Sequence, residues 1–114
     1  MLCACNAFIA VSLGAFGAHV LKPQLTADNL EIFKTGAQYQ MVHALGIGIL
    51  AAIPESKYAL ACVRLFQIGI ILFSFSLYTL SLTGVRWLGA ITPLGGFCFL
   101  SSWAILAVMT YKSK

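Results

Sequence analysis

Four uncharged, largely apolar runs constrain this chain more than any other feature: Met1 to Leu21, Thr35 to Ile53, Leu65 to Val85 and Trp87 to Tyr111. A helix needs roughly 20 apolar residues to cross about 30 Å of hydrocarbon, and each run is close to or above that length. Together they take up most of the 114 residues, which leaves no room for a separate soluble domain. Charged residues are 9% of the chain, against roughly 25% in soluble domains. With a mean hydropathy of +0.94, the chain cannot cover a water-facing surface. Alternating strands of about 10 residues are absent, which argues against a barrel. The expected fold is an all-α membrane protein: a four-transmembrane-helix antiparallel bundle formed by one integral membrane domain, 1–114. Its helices are expected near 2–21, 36–53, 59–80 and 87–111, with a short amphipathic interfacial segment at 28–34.

Span one lacks the basic leader of a signal peptide and has the length of a membrane span, so it is read as a retained helix. Its Ala10, Gly14 and Ala18 recur every fourth residue, a stripe that lets another helix come close. Lys22-Pro23 ends it, because the residue before proline leaves helical geometry. Asp28 with Glu31 three residues on resembles a capping box, with Asp28 as the cap of an amphipathic helix; a solvated loop is the alternative. Met41 to Ile53 would reach only about 20 Å as a helix. Span two must therefore begin near Gly36, which sets Tyr39 and Gln40 at the interface and His43 just inside, at the depth of His19. Ala44, Gly48 and Ala52 repeat the small-residue stripe and pair spans one and two. Pro54 to Lys57 is a tight turn, and Gly84 is a natural helix C-cap. Pro93 is expected to kink span four one to two turns in, freeing a carbonyl near Thr92.

The net charge of +4 does not imply nucleic acid, because the basic residues flank the spans as interfacial anchors. The expected partner is the lipid bilayer, with a homo-oligomer or a larger membrane complex as further partners. Lys57, Arg64, Lys112 and Lys114 on one side outnumber Lys22, Lys34 and Arg86 on the other, which favours cytoplasmic termini in a bacterial inner (plasma) membrane. Cys3, Cys5, Cys62 and Cys98 lack the spacing of a redox or zinc motif and read as small buried hydrophobes. Acylation of Cys3 and Cys5 near the membrane face is the other reading.

Four stretches, GAFGAHVLK from Gly14, FKTGAQYQMVHALGIG from Phe33, LFSFSLYTLSLTG from Leu72 and GAITPLGGFCFLSSWAIL from Gly89, resemble the domain of unknown function 423 family. This family of small four-helix membrane proteins includes YgdD/YwdK-like and transmembrane protein 256-like members. The likeness covers essentially the whole chain. Phe75 stands where that pattern commonly has glycine, and the N-terminus is short for the family. The resemblance implies a fold and a membrane address and brings no particular activity, so function is argued from the residues.

Four antiparallel spans would gather His19, Tyr39, Gln40, His43, Ser76, Tyr78, Thr92 and the Pro93 break at one membrane face, leaving Asn6, Gln67, Ser101 and Ser102 at the other. Polar groups inside a membrane are costly unless paired, so the cluster His19, His43, Tyr39, Gln40 and Thr92 is the candidate polar pocket or ligand site. No span carries an acid, and no serine has an adjacent base, so no catalytic residue is assigned. Three readings stand. The polar groups are structural in an accessory, scaffold or membrane-stabilising subunit that needs no cofactor. Alternatively His19 and His43 hold haem or a metal. Alternatively the protein is a small carrier or an oligomeric pore.

Overall fold

The computed structural model describes residues 1–112, and every regular element in it is helical. Four helices carry the fold: α1 (Leu2–Leu21), α2 (Ala27–Ala51), α3 (Lys57–Thr83) and α4 (Thr92–Lys112). Wider π-type turns interrupt the hydrogen-bond ladder of α1 at Gly17–Leu21 and of α3 at Ile70–Phe75. A 3-10 turn, Arg86–Ala90, leads into α4.

The elements have local causes. Thr26 caps α2 by accepting from the Asn29 N–H at 3.1 Å, and Ser56 caps α3 by accepting from the Ala59 N–H at 3.1 Å. Each satisfies one of the donors that a helix start leaves unpaired. Gly84 ends α3 in the left-handed conformation at φ 73°, with its N–H on the Leu80 carbonyl at 2.8 Å. That conformation is easily reached only without a Cβ.

Two expectations are corrected here. The segment 28–34 is not a separate interfacial helix. Thr26, rather than Asp28, is the cap, and the segment forms the opening turns of one 25-residue α2. Pro93 does not kink a span, because it is the second residue of α4, where the missing N–H would have had no helical partner anyway.

Three of the helical stretches, Leu2–Leu21, Lys57–Thr83 and Arg86–Lys112, are long and apolar enough to cross a membrane. The exception, α2, packs one face against the others. Gly36, Ala37, Gln40, His43, Ala44, Gly46, Ile47 and Leu50 are all buried along it. A helix whose neighbours are protein can be more polar than one facing lipid tails. Large apolar side chains such as Phe8, Trp87, Phe97 and Leu100 point outward instead, as suits a hydrocarbon environment. The longest dimension is 50 Å, close to a bilayer with its headgroups at roughly 40–45 Å.

Two apolar clusters occupy the interior. One gathers Leu21, Leu30, Phe33, Ala37 and Tyr78, the other Ile47, Leu50, Ala59, Cys62, Phe66, Ile70, Phe99 and Leu106. On α2 the polar residues Gln40 and His43 fall between them.

Close approaches occur at glycines, and not all at the expected ones. A Cβ on Gly95 would lie 2.5 Å from the Phe73 backbone N and 2.8 Å from the Gly69 carbonyl O, so α3 and α4 cross backbone to backbone there. A Cβ on Gly17 would meet the Phe33 ring at 2.9 Å, and one on Gly48 would meet Cys3 Sγ at 2.9 Å. Of the expected packing stripe, Ala10 and Ala44 are buried and Gly48 sits against α1, whereas Ala18 and Ala52 are exposed. A Cβ on Gly14 would have no neighbour within 4 Å. The stripe of span one therefore follows sequence spacing, while the contact follows the turn of the helix that faces α2.

These contacts predict opposite outcomes for two alanine substitutions. Gly95→Ala forces two backbones apart and should destabilise the protein by about 1–3 kcal/mol. Gly14→Ala enters open space and should be neutral or stabilising by up to about 1 kcal/mol, because glycine is the weaker helix former. Thermal unfolding of both variants in detergent checks the difference.

Candidate functional site

The buried centre of the molecule is a polar chain rather than a cavity. Tyr78 on α3 donates its hydroxyl to Gln40 Oε1 on α2 at 2.7 Å. Gln40 Nε2 donates to Asn6 Oδ1 on α1 at 3.2 Å. Asn6 Nδ2 donates to Gln67 Oε1 on α3 at 2.8 Å and to the Leu2 carbonyl one turn back at 2.9 Å. Gln40 is fully buried, and Asn6 and Tyr78 are nearly so. Every bond in the series points the same way, from phenol to amide to amide to amide. Such a chain polarises its own members and ties three helices through one carboxamide.

This arrangement departs from the two-sided distribution of polar groups expected from the spans. Because α2 begins at Ala27, Gln40 lies near the middle of the helix rather than at its interfacial end. Mid-helix it reaches Asn6, which had been assigned to the opposite face. Gly36 makes the approach of Tyr78 feasible: a Cβ there would lie 2.8 Å from the Tyr78 ring.

His43 occupies a second environment, made of rings. Its imidazole stacks on Phe99 of α4 with centroids 3.5 Å apart and planes 8° from parallel. Phe66 of α3 and Trp103 of α4 close around it at 5.6 and 5.9 Å. His43 Nδ1 lies 2.7 Å from the Tyr39 carbonyl. A carbonyl can only accept, so Nδ1 carries a proton. The Tyr39 ring stacks on Phe73 at 4.7 Å and is 41% exposed.

The candidate pocket of His19, His43, Tyr39, Gln40 and Thr92 is therefore divided. Tyr39 and His43 do meet. Gln40 turns to Asn6 and Tyr78. Thr92 pairs with Ser76 Oγ at 2.8 Å, joining the start of α4 to α3. His19 is exposed on α1, whereas the rings around His43 come from α2, α3 and α4. Among the described residues no three His, Cys, Asp or Glu side chains come together as metal ligands do.

Sequence reasoning missed Asn6 as the partner of Gln40 and Gln67 as that of Asn6, and Phe66, Phe99 and Trp103 as the walls around His43. One signal was present for the first pair: each is the lone carboxamide of its span, and such a group rarely faces lipid unpaired. A further pair joins α3 to α4, where Ser102 Oγ donates to the Cys62 carbonyl at 2.9 Å and Cys62 Sγ donates to the Ser102 carbonyl at 3.6 Å.

Apolar helices packed about a helix whose polar face turns inward define a helical membrane protein. Comparison with known proteins narrows this. Residues 13–96 match the family model described as "Protein of unknown function (DUF423)", and the chain belongs to that family. The chain is 45% identical to the UPF0382 membrane protein YwdK of Bacillus subtilis, over 98% of this chain and 94% of that protein. It is 41% identical to a UPF0382 membrane protein of Haemophilus influenzae, over 99% and 93%. With the UPF0382 inner membrane protein YgdD of Escherichia coli it shares 39% identity, over 97% and 87%. No solved structure matches the chain.

The amide chain predicts a hierarchy of losses. Tyr78→Phe removes one terminal donor and should cost about 0.6–1.7 kcal/mol, the range for interhelical hydrogen bonds in membranes. Gln40→Leu strands both the Tyr78 hydroxyl and the Asn6 carbonyl and should cost more, about 2–4 kcal/mol. The double variant should lose less than the sum of the two, because both break the same bond. Unfolding free energies of the three variants in one detergent test this.

Proposed function

We propose that this protein is a non-catalytic accessory or scaffold subunit of a bacterial inner membrane, built from four antiparallel spans with both termini in the cytoplasm. The observation that carries the reading is the commitment of Asn6, Gln40, Gln67 and Tyr78 to one another across three helices. Side chains that would bind or transform a substrate present free donors and acceptors to a cavity. Here the buried side chains of Asn6, Gln40 and Tyr78 hold helices together. Such bonds suit a body that keeps a fixed shape for a neighbour.

The four-span reading is supported by the pairing of helix ends. Cys3 meets Gly48, Gly17 meets Phe33, Gly36 meets Tyr78, and Gly69 meets Gly95. The first three each join an early part of one helix to a late part of its neighbour, and the last joins the middle of α3 to the start of α4. α2 runs for 25 residues, about 37 Å at 1.5 Å per residue, which is ample to span. Its exposed face carries Tyr39, Val42, Leu45 and Ile49. Ala18 of the small-residue stripe is exposed on α1, with Ala15 and His19 exposed beside it, and small residues allow another membrane helix to come close.

Cysteines introduced at Lys22 and Lys57 should label from opposite sides of the membrane, with Lys57→Cys reached from the cytoplasm; labelling from one side would remove the four-span arrangement. Cross-linking in native membranes, followed by mild solubilisation and native mass spectrometry, should retrieve a stoichiometric protein partner. Ala18→Phe should release that partner without changing thermal stability. Recovery of the protein alone after cross-linking would overturn the accessory role.

A further inference from the structure

A groove of about 630 Å³ lies where the start of α3 meets the end of α4. Its floor includes Ile105, Val108 and Met109 of α4, and its rim includes Ser56, Tyr58 and Lys112. Lys57, between the rim residues Ser56 and Tyr58 in the chain, holds its Nζ 5.2 Å from the centre of the Tyr58 ring. The groove is thus a mostly apolar surface with Lys112 in its lining and Lys57 beside its rim residue Tyr58. Lys57 opens α3 and Lys112 closes α4, so the two charges share the level at which a membrane helix leaves the hydrocarbon. Glu55, the acid nearest in sequence, lines the neighbouring groove between α1, α2 and α3 instead.

We propose that this groove is a binding site for an anionic phospholipid of the surrounding leaflet. One acyl chain lies along Ile105, Val108 and Met109, and the phosphate sits at the rim between Lys57 and Lys112. The amphiphilic shape of the site favours a lipid over a soluble anion, which would leave the apolar floor uncovered. Its charge favours an anionic headgroup over a zwitterionic one, whose own cation would face the lysines. Basic pockets between membrane helices recognise anionic headgroups by this electrostatic route. The site does not depend on the accessory role, because it needs only α3 and α4 in a bilayer.

The test uses the purified full chain, delipidated in detergent and titrated with phosphatidylglycerol or phosphatidylcholine. Native mass spectrometry counts bound lipid, and thermal unfolding gives a second readout. The wild type should prefer phosphatidylglycerol, and the preference should fall about fivefold for each of Lys57→Ala and Lys112→Ala, the scale of one basic residue near an anionic surface. Lys22→Ala, at the far end of α1, should keep the full preference. Val108→Trp should displace the lipid by filling the floor with both lysines in place. Equal binding of the two lipids by the wild type, or an unchanged preference in the Lys57→Ala/Lys112→Ala double variant, would overturn the site. So would loss of the preference in Lys22→Ala to the same extent as in the rim variants, because it would reduce the effect to net charge.

Discussion

The structure depends on one buried carboxamide. Gln40 is fully enclosed, takes a hydrogen bond from Tyr78 on α3 and gives one to Asn6 on α1. Inside a bilayer, apolar side chains gain little by leaving lipid tails for one another, so apolar burial cannot by itself select one helix arrangement. Directional bonds can, because a carboxamide at that depth has no water to turn to. Sliding α1 against α2 by one turn would part Asn6 from Gln40 and leave unpaired polar atoms in both. The chain of amides thus sets the relative depth of three helices. The apolar clusters on either side fill the space that this register leaves.

Polarity and burial are divided among the helices in a way that follows from the same constraint. α1, α3 and α4 are apolar enough to meet lipid, and α2 turns the face that carries Gln40 and His43 inward. His43 is held among Phe66, Phe99 and Trp103. An imidazole stacked on a phenyl ring with its Nδ1 proton on a backbone carbonyl satisfies its donor and covers its faces. Its neighbours come from α3 and α4, whereas those of Gln40 come from α1 and α3. One helix therefore binds different partners through residues only three positions apart.

Close packing completes the arrangement, and it is selective about where glycine is needed. Gly95 and Gly69 allow the α3 and α4 backbones to touch, and Gly17 makes room for Phe33. Gly14 belongs to the small-residue stripe and has no neighbour to accommodate. Without apolar attraction between helices, the sum of many short contacts must favour the packed state. A single methyl group at a backbone crossing is then felt strongly, and the same group a turn away is not.

What the sequence determined by itself follows from solvation and chain stiffness. Runs of apolar residues with flanking lysines and arginines cannot be folded in water, so the membrane class and the helical fold were readable, as was the stop at Gly84, where the backbone needs a residue without Cβ. Family membership was readable from the order of four motifs. The site was legible only in part: Tyr39 and His43 meet, as residues four apart on a helix do, whereas Gln40 turns to α1 and α3. The tertiary structure decided the rest. Whether 28–34 joins α2 depends on Leu30 and Phe33 finding Leu21 and Tyr78, and that junction moved Gln40 from the interface to the centre. Asn6, Gln40 and Gln67 are far apart in the chain, and nothing local encodes the depth at which they meet. Helical periodicity tells which residues share a face; which helix that face turns toward is settled only when all four pack, because each polar group must then find its partner without water.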